Sequence, residues 1–455
     1  MRRMVTQLCF MIALSLLGAS LAQSAAHAAV ANQRPNVLFL ISDDLTAQAL
    51  SCYGNKQCRT PNIDALAARR TRFTRAYCQF PVCGPSRASL MSGRYAQAIG
   101  VTGNGASGKF TRNLGDRPSM AQLFKDAGWV SARVSKIYHM RVPGDITAGV
   151  DGPDHAASWT HRFNCQAPEW MTKGEHEHLT NERLNFDKDK HYGLGFGTAF
   201  YVVRGESDGA EQADTKAANK AIELLGQLKD KPFFLAVGLV RPHVPLVAPA
   251  PYFEPYPHKD MTLPPSVEND WDDIPKVGIS KNSKGIGLED KPDQKRKVLS
   301  AYYASVAYMD AQVGRILAAL DKHGLRDNTI VIFCSDHGYH MGEHDFWQKM
   351  SLHDAPTRVP LIISCGDKVA KVKQRPASTG SLAELIDLFP TLADLADLPV
   401  PPHCQGTSLR RILADPQATV RDAAYTFRGN GHMLRTERWA FIQYRTGDVE
   451  LYDMQ

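Results

Sequence analysis

Three nearly continuous apolar runs constrain this chain more than any other feature. They are Asn36–Ser42 (NVLFLIS), Phe233–Val240 (FFLAVGLV) and Thr329–Ser335 (TIVIFCS). A strand that is apolar at every position has both faces covered, as in a parallel sheet between helical layers. Trp129–Ser135 is a fourth strand candidate. Helical patterns alternate with these strands: Pro61–Arg70, Ser119–Ala127 with Ser119 as N-cap and Gly128 as C-cap, Asp214–Leu228 and Leu299–Leu320. Ser381–Ala396 reads as a helix that closes the large unit. The alternation predicts an α/β fold, a mostly parallel sheet sandwiched by helices. Residues 249–297, rich in Pro, Gly and charge, read as a long surface excursion. Beyond about Pro416 the pattern changes to the short strands Ala423–Phe427, Met433–Arg435 and Trp439–Tyr444. They predict a small antiparallel α+β subdomain over 417–455, packed on a large domain over 29–416.

The N-terminus combines Arg2 and Arg3, an apolar run around Met11–Leu21 and the small-x-small string Ala26-His27-Ala28. That is the pattern of a signal peptide over 1–28, and the apolar run is too short to serve as a membrane anchor. The expectation is an exported protein, periplasmic or secreted. The formal charge of +6 falls to about +4 without Arg2 and Arg3. A mild positive excess suits an anionic substrate, and the absence of a basic run argues against nucleic-acid binding. Of the nine cysteines, Cys9 lies in the signal, and export would permit a short Cys52–Cys58 bridge.

Chemistry gathers where the strands end. Asp43 and Asp44 follow the first strand, Lys136 and His139 follow Trp129–Ser135, His243 follows Phe233–Val240, and Asp336-His337 follow Thr329–Ser335. Ligands of open parallel sheets bind outside the carboxyl ends of the strands, so four strand exits deliver these groups to one edge. The clustered carboxylates Asp43, Asp44 and Asp336 need a cation, and oxygen donors favour Ca²⁺ or Mg²⁺ over zinc. His337 either joins the ligands or positions the nucleophile. Cys83-Gly84-Pro85-Ser86-Arg87 adds a small reactive group to a helix N-terminus, with Pro85 read as the first helical residue. Free N–H groups and the helix dipole there favour an anion, and the planar Arg87 suits an oxyanion.

With its extension Ala88-Ser89-Leu90-Met91-Ser92-Gly93-Arg94, this string resembles the signature of the type I sulfatases of the alkaline-phosphatase superfamily. Further matching strings are Ala76-Tyr77-Cys78, Lys136-Ile137-Tyr138-His139, Arg241-Pro242-His243-Val244-Pro245 and Ser335-Asp336-His337-Gly338. Met341-Gly342-Glu343-His344, Lys349 and Val359-Pro360-Leu361-Ile362 complete the set, which spans residues 34 to 455. Within the family these strings, and His337 in particular, are most similar to the iduronate-2-sulfatase branch. The resemblance implies that Cys83 is oxidised to Cα-formylglycine by a formylglycine-generating enzyme. It also implies an ion held by Asp43, Asp44, residue 83, Asp336 and His337. The hydrated aldehyde would attack sulfur, with Arg87 holding it poised and Lys136 and Lys349 neutralising the sulfuryl oxygens. His243 would protonate the leaving alcohol, and His139 would deprotonate the second hydroxyl to expel sulfate. Ser86 would serve the modifying enzyme or the helix start. The implied substrate is a sulfated saccharide, a 2-O-sulfated uronate such as iduronate 2-sulfate. The family's C-terminal unit continues past Leu451-Tyr452-Asp453, so closing elements are expected beyond that point.

Two further activities remain open on the same scaffold: a phosphonate or phosphate ester hydrolase, and an inactive glycan-binding relative. Three other strings are set aside. Gly103–Lys109 mimics a phosphate loop but has Phe110 where a hydroxyl is required, and reads as a mobile turn. His340-Met341-Gly342-Glu343-His344 spells an inverted zinc-protease pattern without a credible helix, although His344 could line the substrate pocket. Glu175–His178 reads as a solvated loop.

Overall fold

The computed structural model describes residues 34–455 except 182–184, 188–191, 195–198, 281, 282, 284, 370, 371 and 373–375. The stretch 1–28, expected to be a signal peptide, lies outside the described residues. The principal elements, in chain order, are β1 (Asn36–Asp43), α1 (Pro61–Arg69), β2 (Thr71–Tyr77), α2 (Cys83–Ser92), α3 (Met120–Asp126), β3 (Val130–Ser135), β4 (His161–Phe163) and α4 (Ala213–Gln227). They continue with β5 (Phe233–Pro242), α5 (Pro292–Lys322), β6 (Thr329–Ser335), β7 (Arg358–Cys365), β8 (Ala377–Thr379) and α6 (Leu388–Leu395). Four strands close the chain: β9 (Ala424–Arg428), β10 (Gly431–Arg435), β11 (Trp439–Tyr444) and β12 (Val449–Asp453).

The main sheet runs β8-β2-β7-β6-β1-β5-β3-β4, with Ala383–Glu384 also pairing on β2. Only β7 runs against its neighbours; β1 lies parallel to both β5 and β6. Alternate residues of the central strands feed two separate cores. Leu38, Leu40, Leu235, Val237, Val331 and Phe333 pack beneath α4 and α5. Val37, Phe39, Ile41, Phe234, Ala236, Ile330 and Ile332 pack beneath α2, α3 and α6. These residues are fully or almost fully buried, and each of them larger than Ala236 contributes roughly 1.5–3 kcal/mol of hydrophobic stabilisation. The continuous apolar runs arise from this double burial.

The predicted helices form, with local differences. Ser119 caps α3 by accepting from the Gln122 amide at 3.1 Å. The α5 helix begins seven residues earlier than its apolar stripe, at Pro292, so the 249–297 excursion ends inside it. Ser381–Ala396 is not one helix: Ala383–Glu384 pairs with β2, a 3₁₀ turn covers Leu385–Asp387, and α6 follows. Glu384 and Asp387 are drawn into a buried cluster with Arg421, which holds that segment out of a regular helix. Glu175–His178, expected as a loop, belongs to a strand over Gly174–His178 that pairs antiparallel with Tyr201–Gly205. Cys52 and Cys58 are unbridged thiols.

The strands β9 to β12 form a four-stranded antiparallel sheet. Met433, Ile442 and Tyr444 on its inner face pack with Tyr77, Leu352 and Leu382 of the main unit. Among the described residues no helix is long and apolar enough to cross a membrane.

Candidate active site

The carboxyl ends of β1, β3, β5 and β6 meet at one edge because all four strands are parallel. There Asp43, Asp44, Lys136, Asp336 and His337 are buried together with Cys83, which is 1% exposed. Cys83 is the first residue of α2, so the helix starts two residues before Pro85 and the proline occupies its third position. The geometry is locally forced. A Cβ on Gly84 would collide with Ser107 and stand 2.8 Å from Asn104 Oδ1. The Gly84 amide instead donates to that oxygen at 2.9 Å. Gly103–Lys109 is therefore not a mobile turn: Asn104–Lys109 is a 3₁₀ helix seated against α2.

One ligand atom from each of Asp43, Asp44, Cys83 and His337 lies within 4.8 Å of the others. His337 Nε2 stands 3.3 Å from Cys83 Sγ and 3.1 Å from Asp44 Oδ1. Its Nδ1 is engaged by the Gly338 carbonyl at 2.8 Å, which leaves Nε2 as the nitrogen facing the group. Asp336 stands beside the four. Its Oδ1 accepts from the amides of Asp44 (3.3 Å) and His337 (3.0 Å), and its Oδ2 accepts from Arg87 Nε at 2.8 Å. Asp44 has a left-handed backbone, φ 64°, held by the Asp336 contact and by Tyr302, whose hydroxyl donates to the Asp44 carbonyl at 2.7 Å. Such strained positions persist only where surrounding bonds enforce them.

The cations are as deeply buried as the acids. Arg87 is fully enclosed, with NH1 on the Lys136 carbonyl at 2.6 Å and NH2 3.4 Å from Asp43 Oδ1. Lys136 Nζ pairs with Asp43 Oδ2. Lys349 Nζ contacts both Asp44 oxygens and lies 3.2 Å from Cys83 Sγ. Burial alone would raise the pKa of Asp43 and Asp44, but Lys136 and His243 for Asp43, and His243, Lys349 and His337 for Asp44, outweigh it and hold both well below the carboxylate range. Burial opposes charge on His337, yet Asp336, Cys83 and Asp44 prevail and raise its pKa. Burial lowers His243 to about 4 against the pull of Asp44, and burial with Lys136 assisting holds His139 well below its ordinary range.

These donors fit a divalent cation. Asp43 Oδ1 is buried without a hydrogen-bond partner, and paired buried carboxylates require positive charge. Asp43, Asp44, residue 83 and His337 would hold the ion, with Asp336 alongside, and His337 would release its proton to do so.

Lys136, His139, His243 and Lys349 form the floor of an open cavity of about 850 Å³. Gly103, Asn104 and Gly105 form part of its wall, as do Lys276, Val277, Arg428 and Asn430. Among the described residues that line it, none is a carboxylate. Sequence reasoning singled out the floor; of the wall it met only Gly103–Lys109, which it set aside as a turn. His344, expected as a possible pocket residue, instead pairs with Asp270 at 2.9 Å and borders a separate, small cavity with His353 and Tyr452.

The model of the sulfatase family matches residues 35–398. The chain belongs to the sulfatase family. It is a sulfuric ester hydrolase with the alkaline-phosphatase-like fold of that family. The model "N-sulphoglucosamine sulphohydrolase, C-terminal" matches residues 342–455 of this sulfatase. Iduronate 2-sulfatase of Mus musculus is 34% identical over 417 residues, covering 84% of this chain and 72% of the relative. A protein solved in complex with its substrate, D-glucosamine-2-N,6-O-disulfate, superposes with a TM-score of 0.69 at 22% identity, covering 92% of this chain and 91% of that one. The phosphonate monoester hydrolase of Agrobacterium radiobacter superposes with a TM-score of 0.72 at 24% identity, covering 92% and 89%.

Proposed function

We propose that this sulfatase removes sulfate from a sulfated saccharide, a 2-O-sulfated uronate such as iduronate 2-sulfate, with residue 83 as formylglycine. We further propose that it is exported. The observation that carries the reading is Cys83, the first residue of a buried helix, among four charged or proton-transferring side chains that floor a cavity lined by cations. The relative named iduronate 2-sulfatase supports the choice of sugar and ester position.

Conversion of the thiol to an aldehyde would replace a sulfur donor by oxygen, giving a set better suited to Ca²⁺, with Mg²⁺ as the alternative. When bound, the ion would lower the energy of negative charge beside residue 83. One hydroxyl of the hydrated aldehyde attacks sulfur, the ester oxygen leaves, and a covalent sulfate ester forms on residue 83. Lys136 and Lys349 offset charge on the sulfuryl oxygens. Arg87, enclosed behind residue 83, fixes Asp336 and the end of β3. His243 gives its proton to the leaving alcohol. Its Nδ1 is held by the Val244 carbonyl at 2.5 Å, so Nε2 carries that proton, and the incoming sulfate supplies the negative charge that favours the charged ring. His139, kept neutral by burial and with Nδ1 unpartnered, accepts the proton of the second hydroxyl. Collapse of that oxygen to the carbonyl expels sulfate and restores the aldehyde.

Mass spectrometry of the peptide spanning Cys83, from protein made in a host that has the modifying enzyme, should show aldehyde in place of thiol. A panel of sulfated saccharides should show sulfate release from the 2-O-sulfated uronate. Thiol alone, together with undiminished turnover in Cys83→Ala, would refute the nucleophile. Faster turnover of an aryl phosphonate than of an aryl sulfate would favour the rival hydrolase.

A further inference from the structure

Two cations in the cavity wall are not explained by the chemistry at residue 83. Arg428 ends β9, and Asn430 lies in the turn to β10. Asn430 Nδ2 donates to the Val277 carbonyl at 2.9 Å, so this turn is tied to the segment that carries Lys276. Both Arg428 and Lys276 line the cavity that holds Lys136 and Lys349.

Neither wall cation has an acidic partner among the described residues. The Arg428 guanidinium is half-buried, and burial pushes its pKa down. Glu450 on β12 is engaged within the small sheet: it accepts from Tyr444 at 2.5 Å, from Tyr452, and pairs with His353 at 2.9 Å. The remaining rim cation, Arg141, differs, because Asp145 neutralises it at 2.6 Å. A half-buried guanidinium without a counter-ion costs desolvation energy that an anionic ligand would offset. Arginine also offers a planar fork to an oxyanion, which lysine does not.

We propose that Arg428, assisted by Lys276, forms a second oxyanion subsite that recognises a further acidic group of the substrate, the uronate carboxylate or an additional sulfate. The proposal rests on the saccharide reading above. The two floor lysines are committed to the reacting sulfate, whereas Arg428 and Lys276 come from the small sheet and the excursion before α5. The subsite would give preference for polyanionic saccharides over simple sulfate esters.

The test uses two substrate pairs: a 2-O-sulfated uronate disaccharide with its carboxyl-reduced analogue, and the same disaccharide with and without a second sulfate. Wild-type enzyme should discriminate within at least one pair, mainly through KM. In Arg428→Gln that discrimination should fall by about tenfold or more, the scale of a lost charge-assisted hydrogen bond. Arg428→Lys should recover part of it, and Lys276→Gln should lose less. The pair whose discrimination collapses identifies the group recognised. Discrimination that survives in Arg428→Gln would overturn the subsite, and so would an equal loss on 4-nitrophenyl sulfate and on every saccharide. Wild-type enzyme that cleaves the saccharides without discriminating would sink the subsite alone. Cleavage of 4-nitrophenyl sulfate but of no saccharide would sink the saccharide reading with it.

Discussion

Lys349 Nζ lies 2.7 Å from Asp44 Oδ1 and 3.2 Å from Cys83 Sγ, so one ammonium spans a candidate ion ligand and the candidate nucleophile. The backbone on either side of it is left-handed, with Gln348 at φ 69° and Met350 at φ 77°, which fixes the direction of the intervening side chain. Substitution should therefore remove a preorganised charge. In Lys349→Met, kcat/KM for an aryl sulfate should fall by at least about 100-fold, the scale of losing one transition-state donor. Lys349→Arg should not restore it, because a planar fork cannot take the place of a compact ammonium. Steady-state kinetics would check both, and near-normal turnover in either would refute the role.

Exhaustive chelation should abolish turnover while the protein stays folded, and Ca²⁺ should restore it. Asp43→Asn should be inactive whether or not Ca²⁺ is added. Far-UV circular dichroism alongside the assay separates lost chemistry from lost fold. Full activity after chelation would remove the ion from the mechanism.

Gly238 in β5 is required by packing. A Cβ there would collide with the backbone of Lys136, the residue that leaves β3 beside it. Gly238→Ala should cost about 1–3 kcal/mol in urea unfolding, as overpacking does, and should also lower kcat by displacing Lys136. Gly108, around which a Cβ would find open space, provides the control. Gly108→Ala should change neither quantity measurably.

His340 gives stability a pH dependence. Its ring is buried against Ser351 and Phe346, and burial lowers its pKa to about 4 from an ordinary 6.5. Between those values the unfolded chain takes up a proton that the folded chain refuses. This contribution is complete above pH 6.5 and lost as pH falls toward 4, amounting to at most about 3 kcal/mol. Urea midpoints should drop more steeply from pH 7 to 5 in the wild type than in His340→Gln. Parallel profiles would refute the assignment.

The exits of β1, β5 and β6 were legible because double burial writes itself as nearly uninterrupted apolar sequence, and Asp43, His243 and Asp336 lie just beyond those runs. β2 and β7 were not. Thr71–Tyr77 alternates Phe73 and Ala76 with Arg72 and Arg75, and Arg358–Cys365 contains Pro360, so neither carries the same signature. The cavity wall was the least legible part. Asn104 opens a 3₁₀ helix, Lys276 lies in the excursion before α5 and Arg428 ends β9, and the contact that ties the last two segments, Asn430 to Val277, leaves no periodic trace. Glu175–His178 shows the opposite failure: its solvent-facing charges hid a strand defined by its pairing with Tyr201–Gly205.

Cys83, 1% exposed at the root of α2, has a bearing on the order of events in the life of the chain. Another protein could not insert an active centre through Lys349, His337 and the Asn104–Lys109 turn to reach that sulfur. On the formylglycine reading proposed above, the modifying enzyme would have to reach the side chain before β6 delivers Asp336 and His337 around it. The clock for maturation would then be the arrival of the later strands, and a chain that folded too quickly would seal in an ordinary thiol for good.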